Sequence, residues 1–158
     1  MRARWFTLAA LLAAWSPSAA RAADPPAAGP DRSRLIGAWH MVSMEEQARD
    51  GSLSHHADRV AMLVYTADGH MYVQVMYPPS EIASTANSPY AQAGFESSFG
   101  SYDVDEAAHV VIFHVQGALV RTLVGRDLPR AMRFSPDGHL TLRSTHPDET
   151  WSVTWEHD

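Results

Sequence analysis

The 158-residue chain contains no cysteine and no lysine. Without cysteine there can be no disulfide, no zinc–thiolate centre and no thiol nucleophile, so any fold must rest on its packed core. Arginine supplies all 12 basic side chains, set against 18 aspartates and glutamates, for a formal net charge of −6. Setting aside Arg2, Arg4 and Arg21 at the N-terminus leaves nine basic groups against eighteen acidic ones, a formal charge of −9. Such a surface repels phosphate backbones and anionic headgroups, which excludes nucleic acid as a partner. No apolar run reaches the ~20 residues that span a bilayer. There is also no Gly-x-Ser-x-Gly elbow, phosphate loop, dinucleotide fingerprint or calcium loop, and no cofactor is expected. The 9 histidines show neither His-x-Glu nor His-x₃-His spacing. His55-His56 would point apart in an extended segment, so they read as solvated and no metal site is expected.

What is present begins with a leader. Arg2 and Arg4 precede the apolar run 5–15, and Ala20-Arg21-Ala22 places small residues where a signal peptidase inspects the chain. Residues 1–22 are expected to be a signal peptide cleaved after Ala22, giving a periplasmic or secreted protein with no stable membrane insertion afterwards. Residues 23–32 read as a flexible, Pro-rich leader, and 33–158 as one folded domain. A chain of that length buries roughly two-thirds of its unfolded surface and needs no staples.

The folded part alternates short β-rich runs with turn signals. Strands are expected at about 35–44, 59–66, 70–77, 99–104, 109–116, 128–135, 139–143 and 150–156. Ala67-Asp68-Gly69 and Pro136-Asp137-Gly138 mark two tight hairpins. Between the third and fourth strands lies an insertion of about twenty residues, of which 89–98 could form a short helix with Pro89 at its first position. The fold class is therefore all-β, and about eight antiparallel strands can close into a barrel that holds one small ligand. Gly37-Ala38-Trp39 on the first strand fits a barrel closed over a large aromatic ring.

Gly37-x-Trp39 resembles the lipocalin pattern. A longer match runs through Leu63-Val64-Tyr65-Thr66-Ala67-Asp68-Gly69-His70-Met71, Val73-Gln74-Val75-Met76, Phe99-Gly100-x-Tyr102-x-Val104-Asp105, His114-Val115-x-Gly117, Val124-Gly125 and Leu140-Thr141-Leu142. Together these resemble the bacterial and fungal lipocalin-like domain family, in order and spacing, from Leu35 to Glu156. The chain carries Phe113-His114 where the family often has two adjacent histidines, and Gln116 where it has glutamate. The resemblance implies a calycin-type barrel with an internal cavity. It also implies that Trp39 plugs one end of the barrel under a late-strand cation, for which Arg143 or the strand of Trp151 and Trp155 is available.

Five residues are candidates for polar contacts to a small apolar or amphipathic ligand: His114, Arg130, Tyr65, Gln74 and Tyr102. His114 shares a strand face with Ile112 and Gln116, while Val111, Phe113 and Val115 share the other. Arg130 and Arg133 have opposite parity, so one points in and the other out, and an inward Arg130 could pair with a ligand carboxylate or enolate. Gln74 shares a face with Tyr72 and Met76 and fits a lined pocket or an exposed strand equally. The function expected is binding of one small, mainly apolar molecule. The alternative is an isomerase or cyclase in which His114 moves a proton, with Tyr102 as its nearest partner.

Overall fold

A computed structural model describes residues 30–48 and 50–158; the expected signal peptide and most of the leader lie outside them. The described residues open with a short helix, α1 (Pro30–Leu35), and continue through ten strands. These are β1 (Gly37–Gln47), β2 (Leu53–His55), β3 (Val60–Tyr65), β4 (His70–Met76), β5 (Ala91–Gln92), β6 (Phe95–Asp105), β7 (Val110–Ala118), β8 (Asp127–Phe134), β9 (Leu140–Ser144) and β10 (Trp151–His157). Short 3₁₀ turns occupy Pro79–Asn87 and Arg121–Leu123.

Eight strands pair antiparallel in the order β10-β9-β8-β7-β6-β4-β3-β1, and β1 returns to β10 to close the barrel. β2 and β5 are extra strands on β1 and β6. Closure leaves the eight barrel strands without a free edge. The inner face is the apolar core, with Leu63, Tyr65, Met71, Val111, Phe113, Val115, Met132, Leu142, Val153 and Trp155 all buried.

Turn chemistry sets the hairpins. Gly69 (φ 91°) closes the β3–β4 turn, its amide donating to Thr66 O at 3.1 Å. Gly138 (φ 94°) does the same for β8–β9, donating to Ser135 O at 3.1 Å. Both positions need a left-handed backbone that glycine alone adopts without cost. Within β6 the register shifts between Phe99 and Gly100, and a Cβ at residue 100 would lie 1.9 Å from the His114 carbonyl oxygen. Gly100 therefore permits a bulge where β6 bends against β7.

α1 seals one end of the barrel. The backbone amides of Asp31 and Arg32 donate to the Glu106 carboxylate at 3.0 Å each, and His109 Nδ1 meets Asp31 Oδ2 at 2.5 Å. Residues 30–32, read from the sequence as the end of a leader with nothing to pack, thus belong to this seal, and Asp31 is buried. Trp39, 2% exposed, lies beneath, its indole N–H donating to Leu35 O at 2.8 Å. Of the two covers expected, the strand of Trp151 and Trp155 supplies it, through a histidine and not a cation. His157 of β10 meets the ring edge-on at 4.7 Å between centroids, while Arg143 is exposed on the outside. Gly37 explains this arrangement, because a Cβ there would lie 2.1 Å from His157 Nε2. Arg34 stacks 3.9 Å over Phe134, which itself packs 6.2 Å from Trp39.

The insertion also differs from expectation. The 3₁₀ turn occupies Pro79–Asn87, and residues 89–98 are not helical but form the β5–β6 hairpin. Ala93 (φ 51°) and Gly94 (φ 81°) are its two central residues, the positive-φ pair of a tight hairpin turn. Thr85, buried, accepts from Gly94 N at 2.9 Å and donates to Ile82 O at 2.7 Å. The 79–94 strap is pinned at its start by Glu81, which accepts from Arg59 at 2.7 and 2.8 Å.

Candidate functional site

The barrel encloses a cavity of about 500 Å³ that opens at the end opposite α1. Its walls come from the inward positions of the strands, chiefly Met41, Leu63, Met71, Val73, Val75, Val111, Phe113, Leu128, Leu142 and Val153. Its rim comes from Ala48, Ser54, the strap residues Ser88–Tyr90 and the β9–β10 loop at Asp148–Thr150. Alternation along each strand delivers these side chains. On β7, for example, Val111, Phe113 and Val115 are buried while Ile112, His114 and Gln116 face outward.

The structure separates the five candidates. Tyr65 and Arg130 line the cavity. Tyr65 is 2% exposed and packs edge-on against Tyr102 at 4.9 Å, and burial raises the pKa of its phenol. Arg130 points inward with Met132 and Phe134, whereas Arg133 is exposed, which resolves the parity between the two arginines. Tyr102 is buried toward the sealed end, where its hydroxyl donates to Thr66 O at 3.0 Å and Arg32 covers its ring at 4.6 Å. It braces the barrel and does not line the cavity. Gln74 stands on the outer face of β4 beside Met62 and Ser97, away from the cavity.

His114 is also outside. Its Nδ1 lies 2.7 Å from Asp127 Oδ1 and its Nε2 lies 3.0 Å from Asp103 Oδ2, on neighbouring strands. Hydrogen bonding to Asp127 raises its pKa, opposed by desolvation and helped by the hydrogen bond to Asp103. With both nitrogens donating to carboxylates, this imidazole acts as a surface cross-link between β6, β7 and β8. An isomerase using His114 as its acid or base has no such group in the cavity, and no histidine lines it among the described residues.

Arg130 is already committed to protein partners. Nη2 donates to the Tyr90 hydroxyl at 2.9 Å, and Nη1 to Ser144 Oγ at 3.3 Å and Pro129 O at 3.2 Å. Tyr90 in turn donates to Glu149 Oε1 at 2.5 Å, the indole of Trp151 donates to Glu149 Oε2 at 3.2 Å, and Arg130 Nη1 lies 3.6 Å from that oxygen. The guanidinium also sits 4.8 Å over the Trp151 ring. Burial pushes the Glu149 carboxyl up, but hydrogen bonds from Ser144 and Tyr90 with the charge of Arg130 outweigh it, and the pKa ends below the usual range. Burial and the hydrogen bond to Glu149 push the Tyr90 phenol up to about 12. This network ties the strap and the β9–β10 loop to β8 at the rim.

Sequence reasoning missed Glu96. It follows Phe95 at the start of β6 and faces inward with Ser98, between Val75 of β4 and Ala91 of β5. Its side chain is half-buried and borders both the cavity and an outer groove beside Gln74 and Phe95. Burial raises its pKa to about 7, with the charges of Arg130 and Arg59 only partly offsetting the shift. It has no hydrogen bond or ion pair among the described residues. Tyr77, on the same wall, has a phenol pushed up to about 12, first by burial and then by the Glu96 charge. The Trp155 indole nitrogen is an enclosed polar atom without a partner among the described residues. The alternation Glu96/Ser98/Gly100/Tyr102 was the available signal for Glu96, but the expected strand began three residues too late to include it.

No helix among the described residues is long and apolar enough to cross a membrane, and no cluster there has the make-up of a metal site. A search of curated proteins finds no match to the chain. A family model described as a lipocalin-like domain matches residues 36–157. That span runs from the residue before β1 to the last residue of β10, the whole closed barrel, and the chain belongs to the lipocalin-like domain family.

Proposed function

We propose that this protein binds one small, mainly apolar molecule inside the barrel. The observation that carries the reading is the cavity itself: about 500 Å³, with strand walls built mainly of aliphatic and aromatic side chains and its charged groups few inside and mostly toward the mouth. That size and composition match sites that bury most of a small ligand and orient it by a few polar contacts. A fluorescent apolar probe, N-phenyl-naphthylamine, tests it. Saturable binding at one probe per chain with a blue-shifted emission is expected, and replacement of Val73 by Trp to fill the cavity should abolish it. Binding that is absent, or that survives in Val73→Trp, would overturn the reading.

Export is part of the same proposal. It rests on Arg2, Arg4, the apolar run 5–15 and Ala20-Arg21-Ala22, together with a fold free of cysteine. Protein recovered from outside the cytoplasm should begin at Ala23 by intact-mass measurement. A mass that retains the first 22 residues would refute the cleavage.

A further inference from the structure

We propose that the cavity selects organic cations: an apolar body carrying a protonated amine, held by the carboxylate of Glu96. The inference rests on the cavity-binding reading above and names its ligand class. Three observations carry it.

The first is Glu96 itself. A carboxyl set in an apolar wall with no partner is costly to ionise, and the cost is removed when a cation arrives to pair with it. Evolution of a merely structural wall position has aliphatic side chains to use, as the neighbours Val73 and Val75 show. The second is the charge of the lining. Glu96 and Glu149 line the cavity against Arg130, the one cation on its lining among the described residues, while Glu46 and Asp148 stand half or more exposed at its mouth. Arg130 is neutralised by Glu149 at 3.6 Å and has spent donors on Tyr90, Ser144 and Pro129. A ligand carboxylate would therefore meet an excess of acid and a guanidinium already paired. The contact between Arg130 and a ligand anion, open from sequence, loses its basis. The third is the aromatic content of the wall. Tyr65, Tyr77, Tyr90, Phe113, Trp151 and Trp155 all line the space, and their ring faces attract cations. The acidic exterior adds steering, since a field of that sign concentrates cations at the rim.

The groups that bear on Glu96 are few. Arg130 of β8 and Arg59 at the head of β3 lower its proton affinity, and Tyr77 after β4 shares its wall. Its strand neighbours Val75 and Ala91 carry no charge, and Glu46 of β1 and Glu149 lie on the same lining. With no histidine on the wall, Glu96 is placed to change charge near neutrality as the ligand enters.

The test compares decylamine, decanol and decanoate, three probes with one body and different heads, by calorimetric titration of the whole protein. At about pH 8 decylamine should bind about tenfold or more tighter than decanol, with decanoate the weakest, as expected for a paired charge in a dry site. Glu96→Gln should bring amine and alcohol within about twofold, while Glu156→Gln, which removes an acid from the outer surface, should keep the preference. In the wild type the amine preference should shrink from about pH 8 to about pH 5.5, because decylamine stays protonated while Glu96 takes up a proton. That arm stands even if Glu96→Gln fails to fold. Equal binding of amine and alcohol, preference for decanoate, a preference that survives in Glu96→Gln, or a ratio flat with pH each overturns the cation assignment and leaves cavity binding intact. If none of the three probes binds, the cavity-binding reading falls, and the cation assignment with it.

Discussion

At the scale of single residues, the two side chains that matter most were the hardest to place from sequence. Glu96 carries a measurable consequence independent of any ligand. Its pKa is about 7 in the folded protein against 4.5 for a free glutamate. Between those values the folded state holds more proton than the unfolded state, so stability falls as pH rises through this window. Glu96→Gln, which never ionises, should match the wild type below about pH 4 and exceed it by a few kcal/mol at about pH 8, at about 1.4 kcal/mol per pKa unit. Urea melts of both proteins at the two pH values would show it; equal stability at about pH 8 would refute the burial argument. His114 is the converse case. The run Val110–Gln116 is apolar on both faces of β7, because Ile112 packs outside while Val111 and Phe113 pack inside. Composition could not tell the faces apart, and the histidine was assigned by family pattern to a cavity it does not reach. The same ambiguity affects Gln74, whose outward neighbours Tyr72 and Met76 are as apolar as the inward Val73 and Val75.

At the scale of elements, strand positions and hairpins were legible because turn glycines and alternation are local properties. Asp68-Gly69 and Asp137-Gly138 form the turns their chemistry demands. The β5–β6 hairpin was not legible, since Gly94 is its one turn signal and its partner Ala93 adopts a positive φ that alanine seldom takes. The expected helix at 89–98 was the result. The sealed end was half legible. Trp39 was expected as a plug and is one, but its neighbours could be known only from the register that sets His157 opposite it. The ring is 2% exposed, bonded to Leu35 O and packed by Phe134 and His157, so its removal leaves a cavity that α1 cannot collapse to fill. Trp39→Ala should cost about 3–5 kcal/mol, read by chemical denaturation, as large aromatic truncations do. An unchanged midpoint would mean that the ring does not support the end it closes.

At the scale of the whole molecule, the decisive feature is the seam between β1 and β10. It pairs Trp39 with His157 through Glu46 with Trp151, across nearly the full described chain; His40 and Asp158 are bonded over a separation of 118 positions. Every other barrel pairing joins strands that are consecutive or separated by at most two short elements, and those pairings are far more local than the seam. The seam cannot form until both ends of the sheet are in place, so its loop-closure entropy must be met before its contacts help. The cavity depends on the same step, because Met41 and Met44 of β1 and Val153 and Trp155 of β10 supply the wall on either side of the seam. A barrel open at this seam would have neither an enclosed site nor a protected edge. Refolding followed by tryptophan fluorescence should therefore be slow for the chain length, in milliseconds to seconds as for other β-barrels of non-local pairing. Probe binding should appear only with that slow phase, since the wall is incomplete before it. Refolding complete in microseconds, or probe bound at native affinity before the slow phase, would show that the site forms without the seam.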